Sequence, residues 1–276
     1  MKSNYIIKLL EKNERLDGRK LDEFREITIE KNPIERAEGS ARVKMGKTDI
    51  IVGVKLELGT PYPDTPDAGV LRTGAEFNPM AHPEFETGPP GEDATEVARV
   101  IDRGIRESET IKVEELCIEE GEKVWMVYVD AYPINHDGNL IDAGSLASLV
   151  ALNSTRMPKL EEDDKINREE LKGSLPINHQ PITVTVGKVN GKFLVDPTFE
   201  EEKVLETKLS IAVTEEDTVV SMQKSGNGPL SDDDVDKMID VAVKKSKEIR
   251  KLISNGKKTT KSKAKANKSG KSKDGS

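Results

Sequence analysis

Apolar and polar residues alternate over Gly39–Met45 (GSARVKM) and Thr48–Leu58 (TDIIVGVKLEL), the two-residue period of a half-buried strand. Arg25–Glu30 (REITIE) reads the same way, and the hairpin-length gaps between the three predict an antiparallel meander. Val124–Ile134 (VWMVYVDAYPI) is apolar enough for a central buried strand, closed by a turn at His136-Asp137-Gly138-Asn139. Further strands are predicted over residues 182–189, 192–196, 208–214 and 218–223. Helical spacing appears four times. Ser3–Lys12 places Tyr5, Ile6, Leu9 and Leu10 on one side before the turn Leu16-Asp17-Gly18-Arg19. Asp93–Ser108 carries an apolar stripe of Val97, Val100, Ile101, Gly104 and Ile105, with Asp93 and Glu96 at its positive end. Leu140–Asn153 is rich in Ala, Gly and Ser and suits close approach to a sheet. Residues 232–253 follow Ser231 as N-cap, with acids in the first turn and lysines in the C-terminal half.

Strands followed by helices, twice over, predict an α+β protein of two similar halves. The expected halves are residues 1–158 and 176–255, with the charged stretch around Lys159–Lys172 as linking chain within 159–175. Seven of fourteen prolines fall between Pro61 and Pro90, so that segment is expected to cross a surface in extended form, as a strap against a partner. Residues 256–276 contain no apolar side chain larger than alanine and are expected to be disordered.

Charge changes the picture next. The net charge of −8 conceals a tail with eight lysines and one aspartate, so the remainder carries −15. An acidic body argues against nucleic-acid binding by bulk charge and fits a local basic strip, or pairing with a more basic partner. No apolar run approaches the ~20 residues of a bilayer crossing, and the charged N-terminus does not read as a secretory signal. A single cysteine, Cys117, points to a reducing, cytoplasmic setting.

Candidate chemistry is sparse. His82, His136 and His179 lack metal-ligand spacing, and Ser145 in Ala143-Gly144-Ser145-Leu146-Ala147 lacks the spacing of a hydrolase nucleophile. No metal or cofactor is expected. Arg99, Arg103 and Arg106 share one side of a helix. Two readings stand level: a row of forks for successive RNA phosphates, or pairing within the helix through Glu96–Arg99 and Asp102–Arg106. Asp196 and Glu202, with Glu200, Glu201 and Glu206 nearby, could hold a divalent cation. Lys208 beside them opposes one, and favours a charged edge over an active site.

Several segments together resemble the RNase PH family: Asp17-Gly18-Arg19, Glu38-Gly39-Ser40-Ala41, Glu96 to Arg106 (EVARVIDRGIR), Val129-Asp130 with Asp137-Gly138, and Leu194-Val195-Asp196-Pro197-Thr198. The resemblance spans roughly residues 12–253 and is closest to the archaeal exosome ring subunits that lack an active site. Active members are implied to be phosphorolytic 3′→5′ exoribonucleases, in which phosphate attacks the terminal phosphodiester. Where they have an arginine opening the second helix, this chain has Asp93. Where their phosphate loop has an arginine, it has Ile141, and where their pattern ends in an acid it has Lys208. Asp196 and Glu202 match acidic positions that remain. The resemblance therefore implies a non-catalytic subunit that pairs with a catalytic RNase PH-like partner, three pairs closing a hexameric ring beneath RNA-binding cap subunits. It tips Arg99 and Arg103 toward RNA; Arg106 completes the row, but nothing in the match fixes its direction. The rivals are an active nuclease using Asp196 and Glu202, and a stand-alone RNA-binding module acting through the lysine tail.

Overall fold

The structure, a computed structural model, describes residues 2–254. The lysine-rich tail lies outside the described residues. Helix α1 spans Lys2–Glu11. Strands β1 (Ile27–Lys31), β2 (Gly39–Met45) and β3 (Thr48–Gly59) form the expected antiparallel meander, Lys44 pairing with Asp49 and Val43 with Ile50. Strand β4 (Val70–Ala75) is followed by helix α2 (Glu92–Glu107), the short β5 (Cys117–Glu119), β6 (Lys123–Asn135) and helix α3 (Leu140–Ser154). The six strands make one sheet in the order β1-β2-β3-β6-β4, with β5 also on β6.

Two expectations need correction here. The proline-rich 61–90 segment is not extended coil throughout, because β4 lies within it and pairs parallel with β6 as the sheet's edge. None of the seven prolines falls in Val70–Ala75, so its backbone donors are intact. The charged Lys159–Lys172 stretch is likewise not open linking chain. It forms a hairpin of β7 (Arg156–Leu160) and β8 (Ile166–Ser174). Its charges find partners on the first sheet's side of the molecule. Arg168 donates to Glu38 and Glu57 at 2.8 and 2.9 Å, and Lys123 reaches Asp164 at 2.7 Å.

The chain continues through β9 (Ile182–Val189), β10 (Lys192–Val195), a four-residue helix α4 (Phe199–Glu202), β11 (Thr207–Val213), β12 (Val219–Ser225) and helix α5 (Asp232–Ser254). These strands form an antiparallel sheet ordered β10-β9-β11-β12. Alternation along β3 and β6 turns Ile50, Val52, Val54, Val127 and Val129 inward. Helix α3 covers that face and also touches β9, so the two sheets bury one core between them. This is why twelve of its fifteen residues are buried and why it is built from small side chains. At Gly144 an added Cβ would stand 2.9 Å from Ile101 Cδ1 and 3.3 Å from Ile50 Cδ1. Among the described residues, no helix is long and apolar enough to cross a membrane.

Candidate nucleic-acid interface and buried acidic cluster

The turn after β6 brings the two sheets' loops together. Gly138 has φ +87°, and a Cβ there would lie 2.4 Å from Phe199 N, so only glycine lets the turn meet the start of α4. Asn139 and Asp196 also take left-handed backbone conformations, φ 57° and 48°, which short polar side chains tolerate best.

Asp196 is fully buried, not on a charged edge as the sequence implied. Its Oδ2 accepts from the Arg25 backbone N–H and Nε, both at 2.8 Å, and from Arg19 Nη1 at 3.1 Å. Its Oδ1 accepts from Arg25 Nη2 at 2.6 Å and Asn139 Nδ2 at 2.9 Å. Burial alone would raise its pKa, but the Arg25 bonds and charge outweigh burial and hold it below the usual carboxylate range. Arg25 also donates to the carbonyls of Asp137 and Gly138, so one guanidinium ties the first strand's approach to both loops. Next to it, Arg15 forks onto the buried Glu201 with bonds of 2.8 and 2.5 Å. Glu202 accepts from Asn139 N at 3.2 Å, and Lys208 Nζ stands 3.5 Å from its Oε1. Burial raises Glu202, with Lys208 opposing. Ile141, in the place where active relatives are implied to hold an arginine, is a buried core residue. Among the described residues, Arg15, Arg19, Arg25 and Lys208 beside these carboxylates are each paired with a carboxylate.

Sequence reasoning gave no site role to Arg15, Arg19 and Arg25, whose buried carboxylate partners Glu201 and Asp196 lie more than 170 residues away. It also missed the rings around the turn. His82, Phe85 and Phe199 pack on His136, whose Nδ1 accepts from Gly138 N at 3.3 Å. Burial, then His82, pushes His136 down to about 4, so it is neutral and keeps that acceptor.

Asp142, on the first turn of α3, accepts from Thr185 N at 2.9 Å, Thr185 Oγ1 at 2.7 Å and Asn139 Nδ2 at 2.9 Å. Among the described residues no cation pairs with it, and burial pushes it from 3.8 up to about 7. Because its folded pKa is raised, the folded state binds the extra proton between those values. Stability therefore falls as pH rises from about 4 to about 7, opposite in sign to Asp196. Asp142→Asn copies the protonated form. It is expected to raise the melting temperature by several degrees at pH 8 and little at pH 4.5, as differential scanning calorimetry at the two pH values would register.

The arginine row on α2 divides. Arg106 pairs with Asp102 through Nε and Nη2, at 3.0 and 3.1 Å, and donates to the Leu71 carbonyl at 3.1 Å. For Arg106, pairing within the helix is what the fold adopts. Arg99 is exposed and Glu96 does not reach it, since Glu96 accepts instead from the Ser225 hydroxyl. Arg103 bonds only the neutral Gln223, at 3.0 Å. Among the described residues, neither has a carboxylate within ion-pair distance.

Two sheets with this connectivity, joined at a turn where buried acids meet arginines, define a scaffold of the ribonuclease class. The chain belongs to the 3′ exoribonuclease (RNase PH) family: residues 23–158 match its domain 1 and residues 179–245 its domain 2. It is 50% identical over 243 residues to the exosome complex component Rrp42 of Methanothermobacter thermautotrophicus, covering 87% of this chain and 89% of that protein. A chain of the Archaeoglobus fulgidus exosome with RNA bound to the active site superposes with a TM-score of 0.86 at 47% identity. That match covers 91% of this chain and 97% of that one. A chain of an archaeal exosome core superposes with a TM-score of 0.82 at 44% identity, covering 92% and 96%.

Proposed function

We propose that the chain is a non-catalytic ring subunit of an exosome. In this reading it pairs with a catalytic RNase PH-like partner in a hexamer of three heterodimers, supports RNA-binding cap subunits, and grips RNA through Arg99 and Arg103. Arg106, already holding Asp102, stands at the end of that row and contributes less. The assembly rests on the relatives' identity as exosome components. The observation that carries the inactivity is the state of Asp196 and Glu202. A carboxylate that accepts five hydrogen bonds from Arg19, Arg25 and Asn139 has no lone pair to spare for a metal or a proton transfer. Lys208 beside Glu202 repels a dication further.

The purified chain, given single-stranded RNA and inorganic phosphate, is expected to release no nucleoside diphosphate. Adding a catalytic RNase PH-like partner is expected to restore release, in a particle with the mass of six subunits. Phosphorolysis by the chain alone, abolished by Asp196→Asn, would overturn this reading.

A further inference from the structure

Arg99 and Arg103 form a ridge with a groove on each side. One groove, of about 650 Å³, runs past Pro90, Glu92, Thr95 and Glu96 to Gln223. The other, of about 480 Å³, is floored by the edge strand β4 and runs past Leu71, Arg72 and Thr73 to Asp102 and Arg106. Nothing in the hydropathy or spacing of the chain marks Arg72, which lies in the proline-rich stretch. It is exposed, and among the described residues no hydrogen bond or ion pair restrains it.

The two grooves differ in charge. Around the first, two guanidiniums face two carboxylates, Glu92 and Glu96. Around the second, four guanidiniums face two, Asp102 and Glu107. The acid of that second wall is also the better neutralised, because Asp102 is held by Arg106 and accepts from the Thr73 hydroxyl at 3.1 Å. The same bonds, with that of Arg106 to the Leu71 carbonyl, pin β4 to α2 and fix where Arg72 leaves the sheet. A polyanion touching Arg99 and Arg103 is therefore drawn to the β4 side.

We infer that Arg72 is a third phosphate-binding guanidinium, and that single-stranded RNA crosses this subunit along the β4 groove and not along the Glu92–Glu96 groove. Arg106 acts there as a positioning residue for β4. This inference rests on the reading that Arg99 and Arg103 hold RNA. It adds a residue and a direction to that reading. Planar forks suit the task, since each can take two oxygens of one phosphate.

The test uses the full chain assembled with its catalytic partner and a labelled single-stranded oligoadenylate, titrated across a range of salt. Arg72→Ala is expected to weaken binding about three- to tenfold. It should also flatten the slope of log affinity against log salt by about 0.7, the share of a single neutralised phosphate. Arg72→Lys is expected to recover the slope and only part of the affinity, and Thr95→Ala, on the opposite groove, to match wild type. Wild-type binding by Arg72→Ala, with Arg99→Ala/Arg103→Ala weakened, would overturn the β4 route and leave the RNA-gripping reading intact. Unchanged binding in both variants would overturn both. Loss of affinity together with loss of the six-subunit mass would make Arg72 an assembly residue and overturn the inference.

Discussion

Arg25→Ala is expected to lower stability by about 3–5 kcal/mol, the usual consequence of removing one partner of a buried ion pair. In a domain of this size that is a fall in melting temperature on the order of 10 °C. The reason is asymmetry. Arg25 supplies three of the five hydrogen bonds to Asp196, one of them from its backbone, and the alanine variant keeps only that one. Asp196 stays buried, with Arg19 at 3.1 Å as its remaining cation. The carbonyls of Asp137 and Gly138 each lose one of two donors in the same step, keeping Phe199 N and Thr48 Oγ1 respectively. Stability that Asp196 contributes is present above its unfolded pKa of 3.8 and is lost as pH falls through its lowered folded value. The variant should thus lose the share of the acid-side slope that Asp196 contributes below about pH 4, while Asp49 and Asp234, also lowered, keep theirs. Arg25→Ala combined with Asp196→Asn is expected to lose less than the two single variants summed, because they break the same pair. Thermal melts by circular dichroism across pH 2.5–7 would check all of this. A fall of under about 2 °C for Arg25→Ala would show that Arg19 suffices.

The second large effect concerns RNA. Arg99→Ala/Arg103→Ala in the assembled ring is expected to weaken binding of single-stranded RNA about tenfold or more. The salt slope should flatten by about 1.4, two neutralised phosphates at about 0.7 each. Among the described residues neither side chain has a carboxylate partner to lose, so the melting temperature and the six-subunit mass should stay at wild-type values. Arg106→Ala should behave in the opposite way. It frees Asp102 and releases the Leu71 carbonyl, so it should disturb β4 more than it changes the salt slope. Affinity equal to wild type in the double variant would show that the row is a solvated helix face and nothing more.

The two arginine systems have opposite logic. Around Asp196, guanidiniums are locked inside the protein, where removing one strands a charge in a medium that solvates it poorly. On α2, Arg99 and Arg103 line open grooves, and among the described residues no carboxylate lies within ion-pair distance of either. A single chain thus uses the same residue type to lock buried carboxylates and to line an exposed surface.

Much of the first kind of information is local, and the sequence alone carried it. The alternation in Gly39–Met45 and Thr48–Leu58 determines strands because successive side chains face opposite ways. The stripe from Val97 to Ile105 determines α2, and the Ala, Gly and Ser of Leu140–Ser154 mark a helix that must approach its neighbours closely. The proposal of inactivity also starts from the sequence, since Asp93, Ile141 and Lys208 differ in type from what the resemblance implies at those positions. The hairpin of β7 and β8 was not legible, because its strands hold charges whose partners, Glu38 and Glu57, lie over 100 residues earlier. Nor was it legible which arginines are paired. Arg15, Arg19, Arg25 and Arg106 are committed, while among the described residues Arg72 and Arg99 meet no carboxylate and Arg103 bonds an amide. Composition treats all seven alike. Only the folded arrangement separates them, because a Coulomb interaction depends on distance through space and on the water between, and chain separation encodes neither.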